Sequence, residues 1–389
     1  MSGPLGHEGL SRRDFLAACI RWSTCVAASS MAFAGPWLRK AQGAELQRKL
    51  GFVRPRLSPL FVSLENHYVR CTLCPRECRV APGKRGYCEV RENRDGKYYT
   101  LVYGNPCAVH VDPIEKKPFF HVLPRSGSFS IATVGCNFDC KFCQNWEISQ
   151  ALPEHTVNFD LPPEKVVDLA IRYQCRSIAS TYVEPTIFFE YMMDIGMEAR
   201  KRGVLNVCHS NGYINPKPLE MLTQFLDAAC IDLKGFSEEF YGTMTEGTLG
   251  PVLEALQILR AKGIHLEIVN LMIPMKNDDM EEVRQMAIWI KEKLGPEVPL
   301  HFSKFYPMYK LRNLPPTPVK TLEQARKIAL SEGLEYVYLG NVPGHEGENT
   351  YCPHCKKVVI QRTGYTVGQI HLENGKCRYC GKPIPGIWA

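Results

Sequence analysis

The sequence predicts an α/β protein, a partial (β/α)6 TIM-like barrel flanked by two small cysteine-rich modules. Three observations predict it. From residue 128 onward, short apolar runs alternate with amphipathic helical stretches. Polar and unusual residues gather just after the apolar runs. Most of the 17 cysteines fall in tight clusters with gaps of two or three residues, too close to bridge one another but well placed to share a metal.

The alternation opens with "SFSIATVG", a strand, and "PPEKVVDLAIRYQ", a helix with prolines in its first turn. Strand "SIASTYVEP" precedes helix "TIFFEYMMDIGMEARKRG", and strand "LNVCHSNG" precedes helix "NPKPLEMLTQFL". Strand "DAACIDLKG" leads to a helix ending in "GPVLEALQILRAKG", and "HLEIVNLMIP" leads to "DDMEEVRQMAIWIKEKLG". "PLHFSKFYP" and "TLEQARKIALSEG" form the sixth unit, and strand "EYVYLGNV" closes the series. Such alternation implies a parallel sheet with crossover helices. Six units rather than eight leave a barrel open on one side. The domains expected are a leader at 1–50, a Cys-rich module at 51–127, the partial barrel at 128–343 and a last module at 344–389.

Working residues of such folds sit at the carboxyl ends of the strands. Those ends carry Cys136; Glu184; Ser210 and Asn211; Asp232 and Lys234; Pro274 and Asn277; and the stretch from His301 to Tyr306. Of the sixth strand, His301 and Lys304 are candidates to face the mouth. Before the first strand, "DPIEKKPFFH" carries Glu115, Lys116, Lys117 and His121, either a charged turn or a segment that places substrate or forms a lid over the cluster.

Net charge is +7, and seven basic against three acidic residues in 1–50 supply +4 of it. The nearly balanced remainder argues against a nucleic-acid surface. The leader pairs Arg12 and Arg13 before Phe15 and Leu16, like a twin-arginine export signal. Its uncharged run from Trp22 to Leu38 is shorter and less apolar than a membrane span. Export to the periplasm, or tethering with membrane contact only through this leader, is the expectation. A cytoplasmic location remains an alternative, because reduced thiols need protection from oxidation.

In "GCNFDCKFCQNWEISQ", Cys136, Cys140 and Cys143 are separated by three and two residues, with no fourth cysteine nearby. Thiolates are the usual ligands of iron–sulfur clusters. A loop supplying three leaves one metal open, the mark of a site that does chemistry. "CNFDCKFC" after the first strand of a parallel series resembles radical S-adenosylmethionine (SAM) enzymes. More closely, residues 71–389 resemble the AmmeMemoRadiSam-system radical SAM proteins, relatives of pyruvate formate-lyase activating enzyme. Segments such as "CTLCPRECRV", "TYVEPTIFFEY", "NGYINPKPL", "DLKGFSEEFY", "HFSKFYPMYKL" and "YVYLGNVPGHEGENTYCPHC" carry that likeness.

The resemblance implies a radical SAM partial barrel in which the three cysteines hold a [4Fe-4S] cluster and SAM chelates the fourth iron. Reductive cleavage would release a 5′-deoxyadenosyl radical that abstracts hydrogen from a protein or small-molecule substrate. It also implies contacts to SAM: Glu184 to the amine, Phe142 and Gln144 flanking the adenine, and Ser210, Asn211, Asp232 and Lys234 for ribose and carboxylate. No catalytic residue is assigned beyond the cluster. Tyr182 and Val183 stand where this family often has two glycines before Glu-Pro. The expected partners are a low-potential electron donor and, as one option for the substrate, a protein of the AmmeMemoRadiSam system; the resemblance does not itself supply the substrate. Two alternatives are a glycyl-radical-enzyme activase and a non-catalytic iron–sulfur or zinc scaffold or electron carrier.

"CPHC" and "CRYC" place Cys352, Cys355, Cys377 and Cys380 as two knuckles, the pattern of a zinc ribbon. A rubredoxin-like iron site or a docking knob are its alternatives. Cys71, Cys74, Cys78 and Cys88 form a second fourfold set, for zinc or an auxiliary cluster, which spacing cannot separate. Cys107 lies near enough in sequence to substitute. Cys175, Cys208 and Cys230 fall at apolar positions and read as core, while Cys19 and Cys25 belong to the leader.

Overall fold

A computed structural model describes residues 46–389. Residues 1–45 of the leader, with its arginine pair, Cys19 and Cys25, lie outside the described residues, whereas Arg48–Leu50 at its end pairs antiparallel with Val157–Phe159 and so belongs to the fold. Among the described residues no helix is long and apolar enough to cross a membrane.

One eight-stranded sheet organises the protein. Its strands are β1 (Ala108–Pro113), β2 (Gly127–Ala132), β3 (Ser177–Ser180), β4 (Leu205–Ser210), β5 (Ala228–Asp232), β6 (His265–Met272), β7 (Leu300–Lys304) and β8 (Val337–Gly340). They pair in that order, with β1 and β8 at the two ends. Strands β2 to β8 are parallel, and β1 runs antiparallel on β2 from Ala108 opposite Ala132 to Pro113 opposite Gly127. The crossover helices are α1 (Pro163–Arg172), α2 (Phe189–Lys201), α3 (Pro216–Thr223), α4 (Gly250–Ala261), α5 (Met280–Lys293) and α6 (Val319–Ser331). The six strand–helix units and the closing strand thus stand where periodicity put them. The sheet itself begins earlier than expected, because β1 lies ahead of residue 128.

The chain between β1 and β2 packs on the sheet. Ile114, Phe119, Val122 and Leu123 cluster with Ala179, Val207, Ala228, Cys230 and Val269. The small side chains of Ala179, Ala228 and Cys230 leave room for that close approach. Lys117 is buried and donates to Asp112 at 2.6 Å, while Glu115 is buried and accepts from the Arg125 N–H at 2.8 Å. Glu115, Lys117 and His121 are therefore buried and paired rather than solvated, while Lys116 is exposed and pairs with Asp112 at 2.9 Å.

His301 is a correction. It lies near the amino end of β7, opposite Val269 and Tyr338, and not at the mouth. Its Nε2 meets the Glu267 carboxylate at 2.7 Å. Glu267, 0 % exposed, also accepts from the Phe120 and His121 N–H groups and contacts His265. Buried charge is tolerated only when so fully paired, which turned this polar strand residue inward.

Residues 46–107 form small antiparallel sheets. One joins Phe61–Ser63, Val69–Cys71 and Arg79–Val80; another joins Arg56–Leu57, Lys97–Thr100 and Arg91–Arg94. A buried bidentate pair, Arg91 with Glu190 at 2.9 and 2.6 Å, ties this module to α2. At the other end, Thr350–Tyr351, Val358–Thr363 and Thr366–Ile370 form a three-stranded sheet. The C-terminal module packs on Phe120, Tyr336 and Tyr338 through Cys352, Val359, Cys377 and Ile384.

Candidate metal and cofactor site

The loop after β2 presents Cys136, Cys140 and Cys143. Gly135 enters it at φ +93°, and a Cβ there would meet the Cys88 carbonyl at 2.7 Å, so only glycine fits. Backbone bonds from Asp139 to Thr245 and from Lys141 to Met244 pin the loop to the segment after β5. Asn137, which the sequence reading missed, fastens it to β4: its amide donates to the Tyr213 carbonyl at 2.7 Å and accepts from Asn211 at 2.8 Å. Nothing in the pattern of apolar residues marks such an asparagine.

Two polar groups face the loop. In the first, Glu184 accepts from the Thr186 N–H, the Ser210 hydroxyl at 2.7 Å and the Asn211 N–H at 2.7 Å. Burial raises the pKa of this carboxyl against those donors, and its charge acts on Cys136. In the second, Asp232 holds His209 and Lys234, each at 2.8 Å. Burial would raise Asp232, but Lys234 and His209 outweigh it and hold the carboxyl below its usual range. Lys234 is raised despite burial, by Asp232 and by Cys140. Its Nζ lies 5.8 Å from the centre of the Phe142 ring. The structure thus brings Glu184, Ser210 and Asn211 together, and Asp232, Lys234 and Phe142 together. Gln144 is exposed. His209 is a further member that sequence reasoning missed.

Tyr182 has φ +67°, the left-handed region that glycine occupies freely. Its hydroxyl donates to Asp112, and the Lys117 ammonium sits 4.0 Å from its ring centre. Those buried contacts hold a conformation costing on the order of 1 kcal/mol for a tyrosine. They give a physical reason why a large residue can stand there.

The three thiols suit a multi-metal group better than one ion. Cys140 is buried, Cys136 and Cys143 half-buried. Burial pushes the Cys136 thiol well up and Cys140 to about 12, so binding must displace protons. Among the described residues, only Cys352, Cys355, Cys377 and Cys380 bring three or more ligand atoms within 4.8 Å of one another. Those four show Sγ–Sγ distances of 3.6 and 3.7 Å. Ligands 2.3 Å from one tetrahedral ion stand about 3.8 Å apart, so this quartet matches a single metal.

A model of the radical SAM superfamily matches residues 130–290. An uncharacterized protein of Methanocaldococcus jannaschii is 45 % identical over 331 residues, covering 85 % of this chain and 98 % of its own. The chain belongs to the radical SAM superfamily. It is related to the pyruvate formate-lyase-activating enzyme of Listeria monocytogenes, 22 % identical over 178 residues, which cover 42 % of this chain and 69 % of that one. A crystal structure of a radical SAM methyltransferase from Sphaerobacter thermophilus aligns with TM-score 0.47 at 13 % identity, over 82 % of this chain and 87 % of that one. Radical SAM membership implies an enzyme with a [4Fe-4S] cluster and SAM.

Proposed function

We propose that the protein is a radical SAM enzyme whose cluster is held by Cys136, Cys140 and Cys143. The observation that carries this is the three-thiol loop at the carboxyl end of β2, set against two polar groups at the ends of β3, β4 and β5. When bound, the cluster and SAM supply one-electron cleavage of the sulfonium and a 5′-deoxyadenosyl radical that takes hydrogen from substrate.

The chain's own residues position and shield. Asn137 holds the loop against β4. Lys234 places a cation beside Cys140, where it offsets the charge of thiolates and sulfides. Asp232 keeps that lysine aimed and charged. Ser210, Asn211, Glu184, Phe142 and Gln144 form the proposed SAM surround.

The finer assignment is to the AmmeMemoRadiSam-system proteins, with a protein of that system as substrate and a low-potential one-electron donor as partner. A relative aligned along 85 % of this chain, well beyond the length of the 130–290 match, supports a layout shared outside the radical SAM domain. Zinc is the proposed ion of the C-terminal quartet, since all four positions are thiols at single-ion spacing. For the leader, twin-arginine export is the proposal. A reporter fused to residues 1–50 that stays in the cytoplasm overturns it.

The open-iron reading has a direct spectroscopic test. Adding SAM to the anaerobically reduced protein should shift the electron paramagnetic resonance signal of the cluster. An unchanged signal contradicts SAM chelation and favours the non-catalytic scaffold.

A further inference from the structure

The N-terminal cysteines converge as well. Cys71, Cys74, Cys78 and Cys88 line one pocket with Arg91, Tyr98, Asn137, Thr186 and others, enclosing about 310 Å³ of empty volume that includes open solvent. Cys71 and Cys74 are buried, and Cys78 and Cys88 are half-buried. Cys107 is not among the lining residues; its thiol donates to the Ala132 carbonyl at 3.6 Å.

The Tyr87 N–H donates to the Cys78 sulfur at 3.4 Å, as the Phe138 N–H does to the Cys136 sulfur at 3.4 Å in the radical SAM loop. Backbone N–H groups aimed at sulfur favour thiolate, the form that binds metal.

Spacing separates the two kinds of centre within this one chain. The C-terminal quartet has the mutual distances that a single ion imposes. No three of the N-terminal sulfurs come within 4.8 Å of one another, although all four face one pocket. A cubane carries its thiolates on separate corner irons, which sets them farther apart than four ligands of one ion. The three cysteines of the radical SAM loop are spread in the same way. We propose that Cys71, Cys74, Cys78 and Cys88 hold a second [4Fe-4S] cluster, fully ligated by thiolate, rather than zinc.

Its place is against the first. Asn137, next to Cys136, lines its inner wall, and the Cys88 carbonyl abuts Gly135. The Arg76 guanidinium, which also lines it, donates to the Asn137 carbonyl at 2.6 Å. The pocket thus adjoins the radical SAM loop through Asn137, Arg76 and the Cys88 backbone.

Metal counting tests this without any turnover. Full-length protein reconstituted anaerobically with iron and sulfide should hold about eight irons and eight sulfides per chain. The variant Cys136→Ala/Cys140→Ala/Cys143→Ala should keep about four of each, with a cubane Mössbauer spectrum. That variant binding extra zinc and no iron, or no metal at these four, overturns the proposal. Should it fail to fold, Cys74→Ala/Cys88→Ala decides: losing about four irons supports the cluster, and losing none overturns it. If neither variant folds, the wild-type spectrum still separates eight irons from four. The inference stands apart from SAM cleavage, since deoxyadenosine can form whichever metal these four bind.

Discussion

Glu184 fixes the local geometry of the site. Its carboxylate joins the turn after β3 to the end of β4 through Thr186, Ser210 and Asn211. Glu184→Gln presents an amide to three donors, so one donor loses its acceptor. The expected cost is about 1–3 kcal/mol of stability, together with weaker SAM binding, read by denaturant midpoint and equilibrium dialysis. Weaker binding at unchanged stability would place the carboxylate on SAM and not on the strand ends. Lys234 acts through charge. Lys234→Met removes the cation that faces Cys140, so the cluster should become harder to reduce, with a more negative midpoint in a redox titration followed by resonance. An unshifted midpoint contradicts that role. The cysteines were legible residue by residue because their spacing is itself the ligand geometry. Asn137 and His209 were not, because their partners Asn211, Tyr213 and Asp232 lie one or more strands away in sequence.

The segment between β1 and β2 shows why a charged run can mislead. Glu115, Lys117 and His121 look solvated in sequence, yet each finds a partner that sequence distance hides: Arg125, Asp112, and Tyr338 with Pro385. His121 must donate from Nδ1 to the Pro385 carbonyl, at 2.6 Å, which leaves Nε2 to accept from Tyr338 when the ring is neutral. Burial holds its pKa down to about 3 from 6.5. Between those values the unfolded chain takes up a proton that the folded chain refuses. Stability is therefore full above pH 6.5 and falls as pH drops toward 3. Glu267 works in the same direction below 4.5: burial would raise it, but His265 and His301 outweigh burial and hold it ionised. A slope on the order of 1 kcal/mol per pH unit is expected below pH 6.5 in chemical denaturation, and a shallower one in His121→Phe. Equal slopes would remove His121 as the source. The Arg91–Glu190 pair behaves differently. Arg91→Met strands a buried carboxylate and should cost about 3–5 kcal/mol, most of it recovered in the double variant Arg91→Met/Glu190→Met.

For the whole molecule, periodicity was enough to place seven parallel strands and six helices. Apolar runs of strand length between amphipathic helices admit few other arrangements. The eighth strand was hidden because β1 carries His110 and Asp112, ends in Pro113, and gains its place by pairing with β2. How the flanking modules dock was also hidden, since it depends on long-range contacts such as Arg91 with Glu190 and Arg362 with the Phe120 carbonyl at 2.6 Å. The C-terminal quartet ties that end to the sheet, as Cys352 and Cys377 pack with Tyr336 and Tyr338. Cys355→Ser should release the ion and raise hydrogen exchange across 384–388. Unchanged exchange would mean that the docking stands without metal.

The central claim is that the open position in the three-cysteine loop serves SAM. The most direct measurement is the yield of 5′-deoxyadenosine and methionine, by mass spectrometry, from anaerobically reconstituted protein given SAM and dithionite. The account predicts both products from the wild type and none from Cys140→Ala. Intact SAM beside a fully assembled, reduced cluster would contradict it.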